Sequence, residues 1–212
     1  MTPTPFTLSY LPETPSQTAG PYVHIGLIPS QAGFEIFENN FGGDIAGPDV
    51  AGERIIIEGR IFDGAGHIAK DVLVETWQAN AAGRYNHPAD RQDKPLDPAF
   101  RGWARTGTNF ETGLYTIRTI KPGPVAGRKG RKTMAPHVSF WLAARGINIG
   151  LATRMYFGDE EAANSDDPVL GIIEQPERRK TLIAPRSERD GAIVYTFDIH
   201  LQGERETVFF DV

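Results

Sequence analysis

The chain has 212 residues, with Lys+Arg 22 against Asp+Glu 27 for a formal net charge of −5, five histidines and no cysteine. Without a thiol there is no disulfide framework, no cysteine nucleophile, no iron–sulfur cluster and no Cys-type zinc site, so any metal needs His, carboxylate or phenolate donors. The mild acidity, interrupted only by the short cluster Arg128–Lys132, excludes the basic footprint of a nucleic-acid binder, and no stretch approaches the ~20 apolar residues of a membrane span.

In chain order, the Thr-, Pro- and Ser-rich start, Thr2–Pro21, reads as an extended arm over 1–22 that lies on a neighbour. It has neither a basic start nor an apolar h-region, which points to a cytoplasmic protein. Phe34–Phe37 is expected to carry a turn or two of helix. Strands are expected at Arg54–Phe62, Val72–Trp77, Leu114–Ile120, His137–Ala143, Ile147–Phe157 and Ala192–Leu201, each rich in β-branched and aromatic residues. In the last, Ile193, Tyr195, Phe197, Ile199 and Leu201 share one face. Asp63–Gly66 and Thr112-Gly113 supply turns. Asp166-Asp167-Pro168 resembles a helix cap leading into Val169–Ile173, and Pro176–Leu182 adds another short helix. Gly 23 and Pro 16 punctuate these segments, which predicts a mainly β sandwich or barrel with a few short helices. No repeat or composition shift divides the chain, so 1–212 is read as one domain.

Several strings carry more than a fold class. Pro12–Tyr22, Glu75-Thr76-Trp77-Gln78-Ala79-Asn80, Gly83-Arg84-Tyr85, Thr119–Pro124, Pro136–Phe140 and Ala144–Asn148 resemble the intradiol ring-cleavage dioxygenases, and among them the alpha chain of the two-chain members. The resemblance runs nearly the whole length, through Gln202-Gly203-Glu204 to Val208–Asp211. It implies a mixed-topology β-sandwich, and for catalytic chains a ferric ion held by two tyrosines and two histidines. A hard ferric ion favours phenolate oxygen, and a His-x-His pair on a strand aims two imidazoles from one face, about 6.6 Å apart along the chain.

Matched residue by residue, Tyr85 stands at the first tyrosine and His137 at the first histidine. Val125 stands at the second tyrosine and Ser139 at the second histidine. Valine has no donor atom, and a serine hydroxyl is a poor, short replacement for imidazole. The expectation is a vestigial pocket with no metal in this chain, Tyr85 and His137 serving as buried hydrogen-bonding residues. His24, His67, His87 and His200 lie in separate segments and show no close ligand spacing.

The resemblance then implies a role through a partner. Alpha and beta chains of the family pair, the beta chain carries Fe(III), and the catechol pocket forms between them. Thr18, Gly20, Pro21 and Tyr22 match the alpha segment lining that pocket, and Arg145, after the strand ending near Ala144, is placed to meet the substrate carboxylate. The implied reaction is O2-dependent cleavage of 3,4-dihydroxybenzoate between its hydroxyl-bearing carbons, giving 3-carboxy-cis,cis-muconate, with no residue of this chain doing acid–base work. Two other readings stay open at this point: a free-standing metalloprotein using Tyr85 and His137 with His87 or Asp90, and a β-sandwich binding module with no enzyme partner.

Overall fold

The computed structural model describes residues 17–20, 22–37, 42–127 and 132–211. Residues 1–16 and Pro21 of the expected arm over 1–22, the His24 side chain and Arg128–Arg131 of the basic cluster therefore lie outside the described residues. Among the described residues the strands are β1 (Arg54–Phe62), β2 (Leu73–Gln78), β3 (Trp103–Gly107), β4 (Leu114–Ile120), β5 (His137–Ala143), β6 (Leu151–Phe157), β7 (Ile183–Ala184), β8 (Arg186–Arg189), β9 (Ala192–Thr196) and β10 (Ile199–His200). Short helices are α1 (Val23–Leu27), α2 (Glu161–Asp166) and α3 (Pro176–Lys180). None is long and apolar enough to cross a membrane.

The strands form two mixed sheets. In the first, β1 pairs antiparallel with β4 and parallel with both β9 and β10, and β8 pairs antiparallel with β9. In the second, the order is β3-β2-β5-β6-β7, antiparallel except for the last pair. Alternation makes each sheet two-faced. Ile55, Ile57 and Ile61 of β1, with Tyr115 and Ile117 of β4, share one core with Val74 of β2, Val138, Phe140 and Leu142 of β5 and Met155 of β6. Aromatic rings close the space between sheets: Tyr115 meets Phe140 edge-on with centroids 5.9 Å apart, and Phe157 meets Tyr195 at 4.8 Å. Two polar ties add directionality to this apolar core. Gln78 of β2 donates to Ile120 O (2.9 Å) and accepts from the Thr119 hydroxyl (2.9 Å). Lys121, just past β4, binds Asp159 and Glu160 beyond β6 at 2.8 and 2.7 Å, and Tyr195 of β9 donates to Asp159.

The expected sandwich is therefore found, with local corrections. The last expected strand, Ala192–Leu201, is two strands. Their register with β1 is continuous, but at the junction Phe197 O accepts from the Tyr115 hydroxyl and the Asp198 carboxylate accepts from Arg60 N–H (2.8 Å). Side chains there replace one rung of the ladder. The face of Tyr195, Phe197 and Ile199 stays buried throughout. The expected strand Ile147–Phe157 begins at Leu151, because Ile147 N–H turns back to Ala144 O around Gly146, whose φ is +82. Phe34–Phe37 is not helical. A 3-10 turn over Pro29–Ala32 ends at Gly33, at φ +84 with its N–H bonded to Ser30 O, and Phe34 to Phe37 leaves as irregular chain. The cap at Asp167 is present, accepting from Val169 and Leu170 N–H at 2.8 and 2.9 Å, but it opens a single 3-10 turn, Leu170–Ile172, in place of an α-helix.

Candidate functional site

Two glycine-bearing loops dock on each other beside β5. A Cβ on Gly83 would stand 2.0 Å from Pro124 O and one on Gly123 2.4 Å from Ala81 O, so only glycine permits this approach. Asn80 ties both loops. Its Oδ1 accepts from Ala82 and Arg84 N–H (3.0 and 2.9 Å) and its carbonyl accepts from Gly83 and Gly123 N–H (2.9 and 3.0 Å). Tyr85 leaves one loop and Val125 the other. Val125 is buried and exchanges backbone hydrogen bonds with Met134 (3.1 and 2.8 Å), three residues before His137.

Asp167, 2 % exposed, fixes the entry to β5. It accepts from Ala135 N–H (2.8 Å) and the Tyr156 hydroxyl (3.1 Å) as well as from its own cap amides. Ala135 O in turn accepts from His137 Nδ1–H at 2.7 Å. With Nδ1 donating, Nε2 of the neutral ring is an acceptor, and the Tyr85 hydroxyl donates to it at 3.3 Å. Burial and then the nearby Arg154 guanidinium push the His137 pKa down to about 4, so the imidazole is neutral near pH 7. Trp77 stacks on Tyr85, centroids 5.6 Å apart and planes within 10°. Ser139 comes next on the same face of β5, directly across from Trp77 of β2 and Arg154 of β6.

These residues do not fit a ferric ion. The two positions with suitable donors, Tyr85 and His137, are bonded to each other, Val125 offers no donor, and Ser139 faces a guanidinium-bearing strand neighbour. The extra donors that a free-standing metal site would recruit are engaged in their own loop. Burial pushes the Asp90 carboxyl up, but N–H bonds from Gln92 and Tyr85 outweigh this and hold it below the usual carboxylate range. His87 Nδ1 accepts from Ala89 N–H at 3.1 Å. His67 sits apart beside Asp63, and His200 stacks on Phe62. Among the described residues no group of three or more His, Asp or Glu is arranged to hold a metal.

The remaining candidates gather elsewhere. Thr18 Oγ1 accepts from Gly146 N–H at 2.7 Å and reaches Ala144 O at 3.5 Å, so a residue near the chain start clasps the turn that carries Arg145. Arg145 is 62 % exposed at its side chain, and its Nε pairs with Asp71. Tyr22 is 76 % exposed, and no bond joins it to Arg145. A Cβ on Gly20 would meet nothing within 4 Å among the described residues. Gln31 anchors the segment after α1 through a 2.7 Å bond to Thr108 O beyond β3. Asn80 and Arg154 were not singled out as site residues from sequence, and Asp167 was read there only as a helix cap, not as the group that holds Ala135 and Tyr156. Asn80 with Gly83 three residues on is a legible turn signal, whereas Arg154 becomes relevant only through the β5–β6 register.

A family model described as Dioxygenase matches residues 39–203. The alpha chain of protocatechuate 3,4-dioxygenase from Pseudomonas putida is 50 % identical over 204 residues, covering 96 % of this chain and 98 % of that one. The beta chain of the Burkholderia cepacia enzyme is 38 % identical over 162 residues, covering 74 % of this chain and 67 % of that one. Among solved structures, the dioxygenase domain of a carbohydrate-binding fusion from Streptomyces sp. SirexAA-E superposes with a TM-score of 0.57 at 21 % identity, covering 82 % of this chain and 96 % of that one, which is a likeness of fold. With this family model matching most of the chain and a 50 % identical relative matching nearly all of it, the chain belongs to the intradiol dioxygenase family.

Proposed function

We infer that this chain is the non-catalytic alpha subunit of a protocatechuate 3,4-dioxygenase. It pairs with an iron-bearing beta subunit and helps to shape the pocket in which 3,4-dihydroxybenzoate is cleaved by O2 to 3-carboxy-cis,cis-muconate. The observation that carries this reading is the hydrogen bond between half-buried Tyr85 and buried His137, which pairs the two remaining donor positions with each other, in a chain matched over nearly all its length by a relative named as an alpha chain. In this reading Fe(III) is held by the partner.

What this chain supplies is binding and positioning. Arg145 meets the substrate carboxylate with its Nη fork while Asp71 holds Nε. Thr18 locks the Arg145 turn to the segment containing Gly20, Pro21 and Tyr22, and Tyr22 gives the pocket an aromatic wall with a polar tip. The exposure of Arg145 and Tyr22 in the single chain suits groups completed by a partner.

Purification of the chain alone and coexpressed with a beta chain bearing an intact His-x-His pair tests this. The expected result is a colourless chain without stoichiometric iron, and a coloured, iron-containing, active complex. Stoichiometric ferric iron with tyrosinate absorption in the chain alone overturns it.

A further inference from the structure

All three tryptophans of the chain, Trp77, Trp103 and Trp141, line one cleft of about 380 Å³. Alternation places it on the outer face of the second sheet, since Val138, Phe140 and Leu142 of β5 point to the core while Ser139 and Trp141 point away. The C-terminal segment walls it, Phe210 N–H bonding to Ala152 O at 2.8 Å.

Its floor is a single row across four strands. Trp103, Trp77, Ser139 and Arg154 stand opposite one another in register on β3, β2, β5 and β6. With strands about 4.8 Å apart, Trp77 and Arg154 are separated by about 10 Å at the backbone, a span that seats one aromatic ring and a terminal carboxylate. Ser139 lies between them, and among the described residues its hydroxyl has no hydrogen-bond partner. Arg154 has no carboxylate partner there either. Its Nη1 reaches the Met134 sulfur at 3.5 Å, and it also lies near the Tyr156 hydroxyl. The cleft's acids do not cancel this charge: Glu75 is taken by Arg105 at 2.6 Å, and Asp211 is an exposed residue of the C-terminal wall. An aromatic-lined slot ending in a cation and a hydroxyl selects a flat ring bearing an anion.

We propose that this cleft is a non-catalytic binding site for planar aromatic carboxylates, with the ring against the tryptophans and the carboxylate on Arg154 and Ser139. The cleft borders the vestigial ligand positions, sharing Ser139 and, through Trp77, touching Tyr85; binding there goes beyond the subunit role, in which the substrate sits at the partner's iron.

Because every tryptophan lines the cleft, intrinsic fluorescence of the full chain reports its occupancy. Titration with benzoate is expected to give saturable quenching, with benzyl alcohol binding roughly tenfold more weakly for want of the charge. Arg154→Gln is expected to weaken benzoate by a similar factor and leave benzyl alcohol unchanged. No saturable quenching, or equal binding of benzoate and benzyl alcohol to the unmodified chain, overturns the proposal, and this comparison requires no variant. In the assembled complex, equilibrium dialysis is expected to find two benzoate sites per pair of chains, falling to one with Arg154→Gln. One site in both, as when a segment of the partner fills the cleft, also overturns it. Tighter binding of 3,4-dihydroxybenzoate than of benzoate by the chain alone assigns the site to the substrate's own class, equal binding to benzoates at large, and either supports it.

Discussion

His137 keeps the residue type of a ligand position, yet both of its ring nitrogens are taken up by hydrogen bonds within the chain. Its ring donates to Ala135 O and accepts from Tyr85, both bonds of the neutral form, and its pKa is depressed to about 4 against 6.5 for an unperturbed ring. That depression gives the pH effect its sign. Between pH 6.5 and 4 the unfolded chain binds a proton at this residue that the folded chain does not, so the stability is fully present above 6.5 and is lost as pH falls through that window, at about 1.4 kcal/mol per pH unit. Denaturant unfolding at pH 7 and pH 5 is expected to show a loss in the unmodified chain that exceeds the loss in His137→Gln by about 2 kcal/mol. Equal losses would remove His137 as the source. Tyr85→Phe removes the donor to a buried ring nitrogen and is expected to cost about 1–3 kcal/mol at pH 7, measured by the same unfolding curves. Val125 and Ser139 were legible from motif position alone. That Tyr85 and His137 bond to each other was not, because 52 residues and two interlocked loops separate them.

Among the elements, those with strict alternation were legible: β1, β4 and β5 begin and end where their apolar and β-branched runs do. β3 and β8 carry WARTG and RSER, without an apolar alternation. Their neighbours create them, β3 by pairing with β2 and its Glu75–Arg105 ion pair, β8 by pairing with β9. The turn after β5 is likewise a product of distant contact, since Thr18 clasps it from 128 residues away. If that clasp positions Arg145, its loss acts on carboxylate binding alone. Arg145→Ala in the assembled enzyme is expected to raise KM for protocatechuate roughly ten- to a hundredfold with a smaller change in kcat, the worth of one charge-assisted bond. Thr18→Val is expected to raise KM in the same direction by less, and to add little in combination with Arg145→Ala. Steady-state kinetics with protocatechuate and with catechol, which lacks the carboxylate, separate the outcomes. An equal rise for both substrates would make the clasp merely structural.

Across the whole molecule, the two sheets bury a continuous core while several large apolar side chains stay exposed on the segments around the clasp. Ile149, on the Arg145 turn, is 68 % exposed, and Tyr22 is 76 % exposed. Single exposed apolar residues are ordinary, but here both lie on segments joined through Thr18 and flanking a cation held out to solvent. Aromatic and apolar anchors beside a cation are what an association surface covers at its centre. An exposed Ile contributes little to the fold of the single chain, so Ile149→Lys is expected to change its unfolding free energy by less than about 0.5 kcal/mol. If the turn lies at the interface with the beta chain, the same change buries an unpaired ammonium and weakens association roughly tenfold or more. Sedimentation of the purified chains over a concentration series measures this directly. Unchanged association with Ile149→Lys, alongside an unchanged unfolding curve, would place the partner on another face and separate the Arg145 turn from the shared pocket.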